Sequence, residues 1–226
     1  MASFVIAACG LMVGAWLLNA YAVPSNPQPV GIFSDHADFG DWTMAGDATY
    51  DPQTGEYVIR GTGGTEENGQ IGDYGHVAYI EHSGDFRLKA KISAEELSNA
   101  YIGCLDDPQD LEATWYTIWD NQEESLFAAF WRSSYGIPWA SSTSISNVLQ
   151  DGLVEVIRIG NVFTSYYYDR NTGERIEMDT RTIEVSDPIY ICLGSESGDY
   201  DIYSVAHFSE VELTLSSAVE NWNLYK

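Results

Sequence analysis

Lysine is scarce in this chain: Lys89, Lys91 and Lys226 are its only three, and with seven arginines they face 34 acidic residues, for a net charge of −24. Recognition of phosphates needs clustered Lys and Arg, so the balance excludes nucleic acid as a partner. The acidic residues are scattered rather than blocked. That distribution suits a solvated acidic surface and, as the sharper alternative, oxygen ligation of calcium. Also missing are a long Pro/Ser linker, a heptad run, a low-complexity tract and an internal repeat. Nothing divides the chain after its first two dozen residues, and the aromatic fraction of 13% is ample for one core, so a single globular unit is expected. No C-x-x-C, H-E-x-x-H, P-loop or G-x-S-x-G motif appears.

The opening segment is of a different kind. From Met1 to His36 there is no Lys or Arg and Asp35 is the one acid, while Ala2 to Ala22 is apolar apart from Ser3, Asn19 and Tyr21. Two readings of residues 1–22 stand. Ala20-Tyr-Ala22 has the A-x-A form of a signal-peptide cleavage site, although the usual basic start is lacking. Alternatively the segment is retained as a membrane-anchor helix: about 20 residues at about 1.5 Å each cross a hydrocarbon core, and Gly10 and Gly14 form a G-x-x-x-G stripe for close helix packing. Both readings place the rest of the protein outside the cytoplasm, in a periplasmic or extracellular setting. A Pro-containing connector (23–34) leads into the main domain (35–215), and 216–226 forms a C-terminal extension.

Phe86-Arg-Leu-Lys-Ala-Lys-Ile92 alternates strictly, which places Phe86, Leu88, Ala90 and Ile92 on the buried face of a strand. Similar short runs recur to Leu215 with no convincing long helix after residue 30. Gly160-Asn161 between two apolar runs fits a two-residue II′ hairpin, with Gly supplying a positive φ. Asp51-Pro-Gln-Thr-Gly55 and Asp169-Arg-Asn-Thr-Gly173 share a D-x-x-T-G form suited to a turn closed by a left-handed glycine. The expected fold is all-β: a two-sheet antiparallel jelly-roll sandwich, preceded by the N-terminal apolar helix.

Four stretches in order carry a resemblance: Ala48-Thr-Tyr-Asp with Thr54-Gly-Glu-Tyr-Val-Ile-Arg-Gly-Thr-Gly63, His76-Val-Ala-Tyr-Ile80 with Ser83-Gly-Asp-Phe86, Ile157 to Tyr167, and Asp187-Pro-Ile-Tyr-Ile-Cys-Leu-Gly194. Together they resemble the concanavalin A-like, DUF1349-type and laminin-G-like jelly rolls of secreted proteins, over most of 35–215. The resemblance implies glycan or protein recognition, often beside a catalytic domain.

Residues with chemistry are few. Hydrolases of the concanavalin A-like fold carry E-x-D-x-x-E; here Glu177-Met-Asp179 would place two carboxylates on one strand face, but Thr182 stands where the third acid belongs. His76 and His82 stand about 20 Å apart along an extended strand, too far to ligate one ion. Asp106, Asp107 and Asp110 make a dense acidic loop, a candidate calcium site or a solvated loop. Trp115 and Trp119 alternate onto one face; with Trp131 and, at the edge, Arg132 they form a candidate platform for sugar rings or a partner, or else an aromatic core. Cys104 and Cys192 sit in apolar strand-like runs, either as a disulfide of an oxidising compartment or as buried thiols.

These observations lead to three function classes. The leading expectation is a non-enzymatic structural or accessory subunit of a membrane-associated or extracellular assembly, its partners reached through residues 1–22. A secreted glycan-binding, lectin-like module is the alternative, and a glycoside hydrolase of concanavalin A-like fold the second.

Overall fold

The computed structural model describes residues 27–39, 44–63, 75–95, 98–108, 113–121, 126–134, 140–141, 145–146, 151–197 and 199–216. The expected N-terminal helix with Gly10 and Gly14, the residues after 216, and Asp110 lie outside them. Among the described residues there is no helix, and so none long and apolar enough to cross a membrane.

The strands, in chain order, are β1 (Asp35–Phe39), β2 (Asp47–Asp51), β3 (Glu56–Gly63), β4 (Gly75–His82), β5 (Asp85–Ala94), β6 (Asn99–Leu105), β7 (Trp115–Asn121), β8 (Leu126–Arg132), β9 (Ala140–Ser141), β10 (Ile145–Ser146), β11 (Asp151–Ile159), β12 (Val162–Tyr168), β13 (Arg175–Thr182), β14 (Ile189–Glu196) and β15 (Asp199–Ser216). An eight-stranded sheet, here the front sheet, runs β1-β4-β14-β6-β7-β8-β10 with β9 also paired to β8. A seven-stranded back sheet runs β13-β12-β11-β5-β15-β3-β2. Neighbours pair antiparallel throughout, so the described residues form an all-β sandwich of the jelly-roll kind.

The alternation of β5 does what its sequence requires. Phe86, Leu88, Ala90 and Ile92 are fully buried between the sheets, as are Ile189 and Ile191 of β14 opposite. Each large side chain of this set contributes about 1.5–3 kcal/mol through burial, and truncating Leu88 to Ala would cost about 2–5 kcal/mol. Arg87, Lys89 and Lys91 point the other way, onto the outer face of the back sheet.

The turns form as their residues dictate. Ile159 pairs with Val162 across Gly160-Asn161, and Gly160 takes a φ of 59° while Asn161 keeps a negative one, as the II′ hairpin needs. In the two D-x-x-T-G turns the aspartate holds the tip together: Asp169 Oδ1 accepts from the amides of Asn171 and Thr172 at 2.9 and 2.8 Å, and Asp51 Oδ1 accepts from Gln53 N at 2.8 Å.

Two expectations about faces are corrected. Cys192 lies opposite Gly103 and Cys104 opposite Ile191, so the two cysteines are diagonal neighbours on opposite faces of the front sheet. Both are free. Their Cβ vectors diverge, which no disulfide geometry tolerates. In β13 a bulge at Met178 separates the two acids: Glu177 pairs with Tyr166 but Asp179 with Ser165. Asp179 therefore turns inward, beside the Tyr116 hydroxyl at 3.5 Å, while Glu177 stays exposed and accepts from Thr180.

Candidate functional site on the outer face of the front sheet

The outer face of a sandwich sheet is ordinarily polar. Here β6 is buried on both faces from Ala100 to Leu105, and Val77, Tyr79, Tyr101, Leu105, Trp115 and Cys192 form a second apolar cluster outside the main core. Cross-strand register brings these residues together: Trp119 lies opposite Tyr101, Trp115 opposite Leu105, and Tyr190 opposite Leu105 on the other flank.

The aromatic rings form a continuous row. Tyr101 stacks on Trp119 with centroids 5.3 Å apart and planes 19° from parallel; Trp119 stacks on Trp115 at 6.3 Å and meets Phe130 at 5.1 Å. Gly194 makes room for this row, because a Cβ there would collide with the Tyr101 ring. Trp119 donates from Nε1 to Thr117 Oγ1 at 2.6 Å, so its polar edge is satisfied within the strand. Trp115 is buried at 7% exposure, whereas Trp119 is half-buried. The groove over the row is lined by Phe39, Tyr101, Leu105, Asp107, Trp115 and Trp119.

Asp107 also lines a second, more polar pocket of about 420 Å³ with Asp35, Tyr79, Glu81 and Tyr190. Tyr79 and Tyr190 meet edge to face at 5.5 Å. Burial and then the neighbouring Asp35 push the Tyr79 hydroxyl up to about 12, and Tyr79 donates to Asp35 Oδ2 at 3.4 Å. Tyr190 is raised by burial and by the charges of Glu81 and Asp107. Asp35 is itself fixed, accepting from the amides of Gln28 and His36. The two pockets share Asp107, and their linings draw on β7, β6, β14, β4 and β1, strands that together span about 19 Å at about 4.8 Å per strand.

The residues expected to act divide unevenly on this face. Trp115 and Trp119 belong to it as expected. Trp131 does not: it pairs with Tyr116 on the inner face, packs against the core and lies 4.2 Å beneath the Arg181 guanidinium. Arg132 is on the outer face but is no edge residue; it is 1% exposed, donates to the Ala113 carbonyl at 3.3 Å and lies over the Trp115 ring. Asp106 accepts from Thr114 N at 2.9 Å, closing the connection between β6 and β7, and burial raises its carboxyl. Its neighbour Asp107 is exposed towards the groove. Among the described residues no three His, Cys, Asp or Glu side chains gather as metal ligands.

One constellation escapes a local reading of the sequence. His76 is joined to His36, not His82: His36 Nδ1 stands 2.9 Å from His76 Nε2, and His76 Nδ1 2.7 Å from Asp38 Oδ1. Asp38 is an acceptor, so with neutral rings the His76 proton sits on Nδ1, His36 donates from Nδ1, and His36 Nε2 is left as the acceptor. These side chains point between the sheets, because Ala37 and Phe39 occupy the outer face. The relay therefore does not open into the groove.

No protein-family model matches the chain, and no curated protein matches its sequence. Solved structures match the fold. A carbohydrate-binding module, CBM66, from Bacillus subtilis superposes with a TM-score of 0.50 at 13% identity, covering 83% of this chain and 96% of the module. A Bacillus licheniformis beta-glucanase gives 0.52 at 12% identity, covering 85% and 96%. A family 7 alginate lyase gives 0.51 at 10%, covering 77% and 83%. The shared property is the jelly-roll sandwich. The expectation of a non-enzymatic chain is thereby corrected: glucanases and alginate lyases use this fold, which gives no ground for excluding catalysis.

Proposed function

We propose that this chain binds a polysaccharide along the outer face of the front sheet, with the half-buried Trp119 as the principal aromatic contact. The observation that carries the reading is the row Tyr101–Trp119–Trp115, continued through Asp107 into the pocket of Tyr79 and Tyr190. The apolar C–H faces of sugar rings bind aromatic surface, and flanking carboxylates and phenols accept from or donate to their hydroxyls. The fold neighbours named for carbohydrate binding, glucan cleavage and alginate cleavage support the same class of ligand. The concanavalin A-like resemblance of residues 35–215 agrees with it. Action outside the cytoplasm belongs to this reading, supported by the apolar run from Ala2 to Ala22. The assembly-subunit expectation has no comparable support among the described residues.

The test is calorimetric titration and affinity electrophoresis against a panel of soluble polysaccharides, with the same mixtures assayed for new reducing ends and unsaturated products. The expected result is retention by at least one polysaccharide and a loss of affinity of about tenfold or more in Trp119→Ala, equivalent to about 1.4 kcal/mol. Failure of the whole panel to bind, or unchanged affinity in the variant with its fold intact, would overturn the reading.

A further inference from the structure

The groove has a sign. Of the ten Lys and Arg residues, those among the described residues belong, with one exception, to β3, β5, β11, β13 and the β12–β13 turn of the back sheet. The exception is Arg132, which is buried against the Trp115 ring and donates to the Ala113 carbonyl. The groove itself is bordered by carboxylates: Glu81 and Asp107 are exposed along it, and Glu196 and Asp35 are buried in its walls. Tyr79 and Tyr190 both feel the charge of Asp107.

From this distribution we infer that the groove takes an uncharged polysaccharide and rejects polyuronates; the inference rests on the binding reading above. A polyuronate carries one carboxylate per ring. Laid across β7 to β1 it would bring several of them against Glu81 and Asp107 with no exposed guanidinium or ammonium on the described face to meet them. Like charges so placed discriminate strongly between ligands of the same shape. Hydroxyls of a neutral sugar, in contrast, are donors that a carboxylate accepts. The alginate lyase shares the sandwich, but its named substrate is an anionic polymer. By this argument the present chain is not suited to that ligand.

The experiment uses the full chain and three kinds of probe: a neutral panel (mixed-linkage β-glucan, a fructan and a galactomannan), alginate, and alginate propylene glycol ester, in which the carboxylates are masked. Binding is measured at about 20 mM and about 0.5 M NaCl, where the Debye length falls from about 20 Å to about 4 Å. At low salt a neutral probe or the ester binds and alginate binds about tenfold or more weakly, and the gap narrows at high salt. The double variant Asp107→Asn/Glu81→Gln lowers the ratio of neutral to alginate affinity. Alginate binding that equals or exceeds that of the ester at low salt overturns this inference and leaves polysaccharide binding standing. Binding to no probe overturns both.

Discussion

On the back sheet's outer face, Arg87, Arg175 and the Tyr168 hydroxyl converge on Glu155, whose side chain is fully buried among them. Lys89 and Lys91 are answered by Glu212 and Asp151 at 3.6 and 2.7 Å. On the front sheet's outer face, equivalent strand positions carry Tyr101, Trp115, Trp119 and Phe130, with a single buried arginine. Both faces are covered, one by charges and one by rings. The coverings differ in what they leave over. Ion pairs are directional, and a cation that has found its carboxylate offers little to a ligand. Rings that stack on one another still present apolar edges, and among the described residues a groove lies over them. The same fold thus has a closed face and a receptive one.

The back sheet's charged face is the more costly of the two to disturb. Glu155→Ala would leave Arg87, Arg175 and the Tyr168 hydroxyl without their shared acceptor, and urea unfolding should report a loss of about 3 kcal/mol or more. Polysaccharide binding by the folded fraction should persist. A loss below about 1 kcal/mol would mean that the ladder behaves as solvated surface pairs.

From the front, Gly194→Ala attacks the floor from beneath. The added methyl displaces the Tyr101 ring, which should cost about 1–3 kcal/mol of stability by overpacking. In this case affinity falls with stability, which calorimetric titration of the folded variant would detect. Unchanged binding would show that Tyr101 is not part of the binding floor.

Smaller is the effect of pH on the relay, which belongs to neither outer face. His36 is held below its usual value of 6.5, first by burial and then by His76, against the opposing charges of Asp35, Asp38 and Asp47. A depressed histidine binds its proton more weakly in the folded state than in the unfolded one. The contribution of His36 to stability is therefore level above pH 6.5 and declines as the pH falls through 6.5 towards the folded value. Equilibrium unfolding between pH 7.5 and 5.5, about one unit on each side, should show that decline, and His36→Gln should flatten it.

Redox conditions should have the least effect of all. With Cys104 and Cys192 on opposite faces, and their thiols raised by burial to about 12 and well above the ordinary value, reductant should leave the unfolding midpoint unmoved. Peptide mass mapping after iodoacetamide treatment should find both unlabelled until the chain is unfolded. A disulfide-linked peptide would contradict the register of β6 and β14.

Local patterns carried much of the fold. The alternation of Phe86 to Ile92 set the core face of β5, and the D-x-x-T-G and Gly160-Asn161 turns marked hairpin tips. Trp115 and Trp119 were legible as face-sharing because the two-residue period acts within one strand. Relations between strands were not. A shift of one residue in pairing moves a side chain to the other face, so neither the inward turn of Trp131 nor the divergence of the cysteines could be read locally. The bulge at Met178 broke the period that would have aligned Glu177 with Asp179. His36 and His76 meet because β1 pairs with β4, a contact across 40 residues. The clearest overlooked signal was β6, whose run Ala100 to Leu105 is apolar without alternation and so buries both faces.

The placement of β14 and β15 bears on how the protein is made. β15 occupies an interior position of the back sheet, between β5 and β3, and β14 does the same in the front sheet between β4 and β6. His207 of β15 meets Glu56 of β3 across 151 residues of sequence. During synthesis, β3 and β5 must therefore wait with open edges until residue 216 has emerged, and neither half of the sandwich can close early. Such non-local pairing folds slowly and leaves strand edges available to other chains in the interval. A ribosome-tethered chain stopped before Asp199 should accordingly show no protease-resistant core, and folding should begin only once β15 can enter.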